Sequence, residues 1–205
     1  MEKGFYKLPE LPYGLDSLEP VISETQLGIH YTKHHKSYVE KANEILGILD
    51  SIASDESSER PDIGILYRKL TFNVGGIVLH NLYWKSMRSP GGENIPSSNL
   101  MEIIERNFGS LHSLKMQFSE LAVNIEGSGW AVIFHCTMTG RLLIAPIQSH
   151  NLNIYPGFKP VLALDMWEHA YYLDYKNDKK GYIQKFWEIA NWDQLEKDLG
   201  QAAVS

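Results

Sequence analysis

An acid and a histidine stand four residues apart late in the chain, directly after a short apolar run. Asp165 and His169 follow the segment 161–164, Val-Leu-Ala-Leu, which predicts a buried strand. Asp165 would leave the sheet at the end of that strand, and His169 would open the next helix. Carboxylate oxygen and imidazole nitrogen suit iron, manganese or zinc better than copper(I) or an iron–sulfur cluster. The pattern indicates half of a metal site.

Further histidines lie in the first half of the chain, in segments with helical periodicity. His30, His34 and Tyr38 are spaced four residues apart, so their side chains share roughly one helix face. His80 lies in an apolar stretch one turn after a glycine pair at 75–76, where missing side chains leave space for a neighbour. Taken separately, each feature has another explanation. His80 also suits a core histidine, the residues spaced four apart suit one face of an amphipathic helix, and the glycine pair suits close helix packing. Together with the acid and histidine above, they favour a metal site.

The candidate ligands are three histidines and one aspartate: His30, His80, Asp165 and His169. Three nitrogens and one oxygen leave a fifth position for solvent. A structural zinc site is closed by four ligands, whereas an open position is typical of a site that does chemistry. The alternatives are a non-haem iron oxygenase with two histidines and one carboxylate, a metal hydrolase with Glu168 as general base, and a storage or structural metal protein.

The composition is that of a globular protein. At 205 residues and 43% hydrophobic, the chain can bury a core as one domain or two small ones. Its net charge of -6 and lack of a basic run argue against a nucleic-acid partner. The single cysteine, Cys136, cannot form an internal disulfide, and no apolar run reaches membrane-spanning length. Without a secretory leader pattern, we expect a cytoplasmic protein with no membrane partner.

Turn-forming residues divide the chain into a helical half and a mixed half. Ser23, with Gln26 three residues on, predicts the N-cap of a long helix, and a second helix over 63–87 completes an antiparallel hairpin. The fold class is α+β, with a helical hairpin domain at 1–95, an α/β domain at 96–205 and the metal site between them. After a Gly- and Pro-rich segment, the predicted elements are helices at 99–108 and 110–125, strands at 129–137, 142–146 and 161–164, and helices at 181–186 and 192–199.

Four motifs in order along the chain resemble the iron/manganese superoxide dismutase family. The resemblance covers nearly the whole chain and implies a long-helix hairpin followed by an α/β domain with a three-stranded antiparallel sheet. It also implies that the four candidate ligands bind one metal ion, with water or hydroxide as fifth ligand. The motifs are His-Tyr-Thr-Lys-His-His-Lys-Ser-Tyr at 30–38, His-Asn-Leu-Tyr-Trp at 80–84, Gly-Ser-Gly-Trp-Ala at 127–131 and Asp-Met-Trp-Glu-His-Ala-Tyr-Tyr at 165–172.

The same resemblance implies an activity and roles for the surrounding residues. The metal ion would alternate between trivalent and divalent states and convert two superoxide anions and two protons into O2 and hydrogen peroxide. Bound hydroxide would accept a proton as the electron arrives. Tyr38 and His34 would lie near the opening through which superoxide enters, and Trp84, Trp130 and Trp167 would wall the site.

A second subunit is also implied. Glu168 would hydrogen-bond the partner subunit's His169, and Tyr172 would reach the partner subunit's His34. One subunit alone would then have an incomplete site, so we expect a homodimer, with a homotetramer as a further possibility.

The loop before the aspartate motif departs from the common family pattern. His150 falls near the position where archaeal iron-type members carry a histidine, and Gly76 would leave room for it. We expect His150 to share a hydrogen bond with metal-bound solvent, with Gln148 as the alternative residue. This substitution favours one iron ion per subunit over manganese, which remains the alternative.

Attraction of an anionic substrate to a net negative protein has to be local. Lys33 beside His34, and Lys179, are the candidates for this field. The alternative is that both are ordinary solvated lysines.

Overall fold

A computed structural model describes residues 4–54 and 61–202 of the protein and has the predicted α+β architecture. The fold class is confirmed, since a helical hairpin precedes a three-stranded antiparallel sheet with its own helices. Within the described residues, no helix is both long and apolar enough to cross a membrane. The elements are α1 Glu24–Ile29, a π-helical turn His30–His35, α2 Lys36–Ala53, α3 Ile63–Lys85, α4 Ser98–Phe108, α5 Leu111–Val123, β1 Gly129–Cys136, β2 Leu142–Gln148, β3 Phe158–Asp165, a 3-10 turn Glu168–Ala170, α6 Tyr172–Tyr175, α7 Lys179–Ile189 and α8 Trp192–Ala202.

The first long helix differs from its prediction because it is not α-helical throughout. The Ser23 hydroxyl accepts a hydrogen bond from the Gln26 N–H at 3.1 Å, as an N-cap should. After α1 the backbone widens into the π turn, in which the Lys36 N–H donates to the Tyr31 carbonyl five residues back. Four-residue spacing of side chains does not reveal an extra residue in one turn. Such turns inside α-helices are frequent at functional sites.

The sheet has the strand order β2-β1-β3, so β1 is central. All residues of β1 from 129 to 134 are buried, which is typical of a strand covered on both faces. The register pairs Trp130 with Asp165, so the end of β3 lies beside the start of β1. β3 is longer than predicted, because Phe158, Lys159 and Pro160 also pair with β1 beyond a register shift.

The helical hairpin is joined to the sheet where α3 ends. Ser86 is buried, and its hydroxyl accepts a hydrogen bond from the Ala163 N–H of β3 at 3.1 Å. This N–H lies on an outer strand and would otherwise lack a partner. The Ser86 carbonyl in turn accepts from the Asn191 N–H at 2.8 Å. These bonds hold the helix that carries His80 against the strand that carries Asp165.

Candidate metal centre

Four side chains from separate segments direct one ligand atom each to a common centre. His30 starts the π turn, His80 lies in α3, Asp165 ends β3, and His169 lies in the 3-10 turn that follows. These four atoms all lie within 4.8 Å of one another. Asp165 Oδ2 is 3.2 Å from His30 Nε2, 3.3 Å from His169 Nε2 and 3.7 Å from His80 Nε2. The arrangement brings together the whole ligand set predicted from the sequence.

Backbone hydrogen bonds decide which atom of a ligand faces the centre. The Trp167 N–H donates to Asp165 Oδ1 at 2.9 Å, which leaves Oδ2 for the centre. His80 donates its Nδ1–H to the Gly76 carbonyl at 2.6 Å, so its Nε2 carries a lone pair. That atom lies 3.0 Å from His30 Nε2. Lone pairs and a carboxylate oxygen converging at this spacing fit a metal ion.

The surroundings of His30, His80 and Asp165 set the protonation states of these three side chains. Burial lowers the pKa of His30 to about 4, and it lowers the pKa of His80 well below its ordinary value. Burial alone would raise the pKa of Asp165, but the charge and hydrogen bond of His169 and the hydrogen bond of His30 outweigh it and hold this pKa well below its usual range. Neutral imidazoles and an ionised carboxylate are the forms that bind a metal.

Indole rings enclose the ligands. Each of the three predicted wall residues lies against a ligand imidazole, and two of them, Trp84 and Trp130, are fully buried. This apolar wall lowers the local polarity around the ligand rings and strengthens the electrostatic interactions between the ligand atoms. The ring centroids of Trp84, Trp130 and Trp167 lie 4.9, 5.0 and 5.3 Å from those of His30, His80 and His169.

His34 and Tyr38 also lie beside the ligands. His34 stacks on His169 with ring centroids 4.2 Å apart and is partly exposed. Tyr38 is buried edge-on against His150, with ring centroids 4.7 Å apart. Burial, together with the charge of Asp165, raises the pKa of the Tyr38 hydroxyl, so it stays protonated at neutral pH.

The loop after β2 brings His150 into the same buried region. Its Nδ1 accepts a hydrogen bond from the Trp130 indole N–H at 3.0 Å, and its ring stacks on Trp167 at 4.5 Å. Burial lowers the pKa of His150 to about 4, so the imidazole is neutral. Because indole can only donate, the proton of this imidazole is on Nε2. That atom has no hydrogen-bond partner among residues 4–54 and 61–202.

The glycine that makes room for His150 is Gly75, which corrects the prediction for Gly76. A Cβ on Gly75 would collide with the His150 carbonyl, whereas a Cβ on Gly76 would lie 2.9 Å from the Tyr38 ring. Consecutive helix residues point about 100° apart, so each glycine faces a different neighbour. Only the tertiary contacts show which neighbour belongs to which glycine.

The remaining predicted residues have different surroundings. The Gln148 side chain is exposed and donates to the Glu126 carbonyl at 3.1 Å, so the structure favours His150 over Gln148 at the site. Lys179 donates to the Ile125 carbonyl at 3.1 Å, which engages its ammonium group. Lys33 is exposed, next to His34 in the chain.

Two residues near the ligands were not predicted. Gln26, expected only as part of a helix cap, is buried and donates to the His169 carbonyl at 2.6 Å. His35 is fully buried and stacks on His80, with ring centroids 5.1 Å apart. The doubled histidine at 34–35 was the available signal. In a regular α-helix, however, His35 would lie away from the face of His30.

Comparison with known proteins assigns the family. Residues 5–88 match the family model for the alpha-hairpin domain of iron/manganese superoxide dismutases, and residues 96–198 match the model for their C-terminal domain. The chain belongs to the iron/manganese superoxide dismutase family. The resemblance found in the sequence motifs is therefore confirmed, and it extends over both halves of this superoxide dismutase fold.

Individual superoxide dismutases align with almost the full chain. The protein named superoxide dismutase (Fe) from Methanothermobacter marburgensis is 49% identical over 200 residues, which cover 96% of this chain and 97% of the relative. Its namesake from Pyrobaculum aerophilum is 40% identical over 198 residues, or 96% and 93% of the two chains. The protein named superoxide dismutase (Mn) from Mycobacterium lepraemurium is 40% identical over 192 residues, or 94% and 91%.

The contact between Gly75 and the His150 loop predicts that adding one methyl group at residue 75 destabilises the protein. Gly75→Ala should lower the free energy of unfolding of the metal-free protein by about 1–3 kcal/mol, because a backbone carbonyl must move. Gly47→Ala in α2 is the matched control, since its Cβ would meet nothing within 4 Å, and it should stabilise by about 0.5–1 kcal/mol. Urea unfolding measures both variants. Equal stability of the two would contradict the assigned contact.

Proposed function

We infer that this protein is a superoxide dismutase, an oxidoreductase that converts two superoxide anions and two protons into O2 and hydrogen peroxide. The observation that carries the inference is the buried cluster of His30, His80, Asp165 and His169 in a chain that belongs to this family over nearly its full length. A hydrolase would need a general base at the centre, but Glu168 is exposed. An oxygenase with two histidines and one carboxylate would leave the third histidine without a role.

We propose one iron ion per subunit, with manganese as the alternative. Three imidazole nitrogens and one carboxylate oxygen suit either metal. The relatives from Methanothermobacter marburgensis and Pyrobaculum aerophilum are named for iron, and the one from Mycobacterium lepraemurium is named for manganese. When bound, the ion supplies one-electron chemistry by alternating between its trivalent and divalent states. The single carboxylate charge and its hydrogen bonds would tune the reduction potential.

Two side chains are placed to hold a proton beside the ligands. His150 keeps its proton on Nε2, because Trp130 occupies Nδ1, and this N–H has no partner in the described part of the chain. The Tyr38 hydroxyl is also protonated, and the Tyr38 ring packs edge-on against His150. We propose that both groups donate hydrogen bonds to solvent at the centre and help to deliver protons to peroxide.

Access for superoxide runs past His34 and Tyr38 in this proposal. His30 and His80 are fully buried, whereas His34 is partly exposed and stacks on His169. The exposed Lys33 next to His34 could supply a local positive charge that attracts an anion. Lys179 is the weaker candidate, since its ammonium group is bound by a backbone carbonyl.

We propose that the surface around Glu168 and Tyr172 joins two subunits. The Glu168 side chain is exposed and makes no hydrogen bond or ion pair with the described residues of its own chain, and Tyr172 is 47% exposed. Gln26 binds both segments of this surface, and Leu173, which follows Tyr172 in the chain, is exposed as well. Contacts from Glu168 and Tyr172 to the partner subunit's histidines would complete both sites. A tetramer of two such dimers is the larger alternative.

We further propose the division into domains 1–95 and 96–205 with the metal centre between them. Two ligands, His30 and His80, come from the first half, and Asp165 and His169 come from the second. A cytoplasmic location is also proposed, since Cys136 is buried and unpaired and the fold uses no disulfide in its described part. Neither nucleic acid nor membrane is proposed as a partner.

Superoxide removal by protein loaded separately with iron and with manganese tests the function. At least one metal form should be active, while metal-free protein should be inactive. Asp165→Ala and His80→Ala should lower metal content and activity by about 100-fold or more, because each removes a ligand. His112→Ala, which removes an exposed histidine of α5, is the control. Inactivity of every metal form would contradict the function, and full activity of a ligand variant would contradict the ligand assignment.

The role of His150 is tested by comparing two substitutions with a neighbour. His150→Leu should lower kcat by about 10–100-fold with unchanged metal content, because the Nε2–H donor is lost. His150→Gln keeps an N–H donor and should retain more activity. Gln148→Leu should match the unmodified protein, since that side chain is bound to the Glu126 carbonyl. A normal kcat and midpoint potential in His150→Leu would contradict the proposed donor.

The subunit contact predicts that Glu168→Ala weakens the dimer. Loss of one partner of a buried charged hydrogen bond costs about 2 kcal/mol or more, so the dissociation constant should rise at least about 25-fold. Analytical ultracentrifugation over a concentration series measures this constant. Glu188→Ala is the control, because the Glu188 carboxylate forms an exposed ion pair with Lys185 within its own helix. A monomeric unmodified protein, or an unchanged constant in Glu168→Ala, would contradict the interface.

A further inference from the structure

Two tryptophan–histidine pairs contact His80, and the two pairs have the same hydrogen-bond partners and distance. Trp130 donates its indole N–H to His150 Nδ1 at 3.0 Å, and Trp84 donates its indole N–H to His35 Nδ1 at 3.0 Å. In both pairs the histidine is neutral, carries its proton on Nε2 and has no partner for that atom among the described residues. The first pair belongs to the proposed proton path, whereas the second has no assigned role.

His35 is in flat contact with a metal ligand. Its side chain is fully buried, and its ring lies 5.1 Å from that of His80 with the two planes only 13° apart. This is an offset stack, one of the preferred arrangements of two planar rings. The ring of Tyr31 packs against His35 at 6.1 Å and 63°, so His35 is itself held in place by its neighbours.

The π turn is what brings His35 to this position. At about 100° per residue, an α-helix would place His30 and His35 roughly 140° apart around its axis. The turn His30–His35 instead uses hydrogen bonds that span five residues, which brings the two residues towards the same side. Both then contact His80, since His30 meets it edge-on at 5.0 Å and His35 meets it face-on.

We propose that His35 is a positioning residue for the metal ligand His80. The stack on His35 and the Nδ1–H bond to the Gly76 carbonyl together hold the His80 ring in the plane that aims Nε2 at the centre. Trp84 fixes His35 in turn through its indole N–H. The proposal rests on the proposed metal-dependent function, because it assigns His35 through the ligand that it supports.

The indole of Trp84 also fixes the orientation of the His35 ring. Indole only donates, so Nδ1 of His35 is the atom that accepts and faces Trp84. A flat ring that is held by this hydrogen bond and by the Tyr31 ring suits a support for His80. Groups that support ligands in this way commonly affect metal affinity by about 10–100-fold.

Metal affinity, measured without reference to activity, tests the proposal. Metal-free protein is titrated with Mn2+ in competition with a chelator of known affinity. His35→Leu should weaken Mn2+ binding by about 10–100-fold, because the flat support of His80 is lost. His35→Phe keeps a flat ring against His80 and should bind Mn2+ more nearly like the unmodified protein. The midpoint potential of the iron-loaded protein should likewise shift more in His35→Leu than in His35→Phe.

The control separates loss of the stack from general loosening of the core. Phe118→Leu also removes a fully buried ring, but it packs on Phe186 and Trp187 and contacts no ligand. It should lower the unfolding temperature with unchanged Mn2+ affinity. Unchanged affinity and potential in His35→Leu would overturn the proposal, as would equal losses in the Leu and Phe variants at residue 35.

Should His35→Leu fail to fold, Trp84→Phe provides the second measurement. This variant keeps an aromatic ring but removes the donor that orients His35, so Mn2+ affinity should fall by several-fold, and unchanged affinity would overturn the proposal. Failure of the proposed function is a separate outcome. Unmodified protein that binds metal but does not remove superoxide would contradict the dismutase activity, while the affinity series would still decide the role of His35.

Discussion

The Asp165 carboxylate is fully buried between three imidazoles, and an ionised group in such a place costs several kcal/mol unless it is paired and hydrogen-bonded. One oxygen is satisfied by the Trp167 N–H, and the other is shared among ligand nitrogens at 3.2 to 3.7 Å. A bound cation would balance this charge. The surrounding structure has to keep the histidines neutral and close enough to share the same cation.

The segments that carry the ligands are held together by few but specific contacts. Ser86 joins the end of α3 to β3, and Gln26 joins α1 to the turn that carries His169. Gly75 allows the loop of His150 to lie directly on α3. Each contact pairs a buried polar group or fills a space that one additional methyl group would occupy. The geometry of the centre therefore depends on the packing of several elements that are distant in the sequence.

Predictions from the sequence succeeded where a short motif carried the information. Asp165 and His169 follow one buried strand, and His80 stands alone in an apolar helix, so their residue types and neighbours were sufficient to select them. The predictions were incomplete where the direction of a side chain depended on whether a helical turn contains one extra residue. The π turn at His30–His35 has the same composition as an α-helical turn, and side-chain spacing therefore gave no indication of it. For the same reason the stacking of His35 on His80 was missed.

The order of residues along the chain was enough to determine the α+β class and the family, and to select the four side chains that the structure brings to one centre. These depend on local periodicity and on motifs whose chemistry is specific. Only the tertiary structure decided which glycine accommodates His150, that Gln26 binds the His169 carbonyl, and that Gln148 lies on the surface. Each of these outcomes depends on contacts between residues far apart in the chain, and for the two helix residues, Gly75 and Gln26, a rotation of about 100° per position selects a different neighbour. Local sequence patterns do not specify how a helix is rotated about its axis relative to the elements that pack against it.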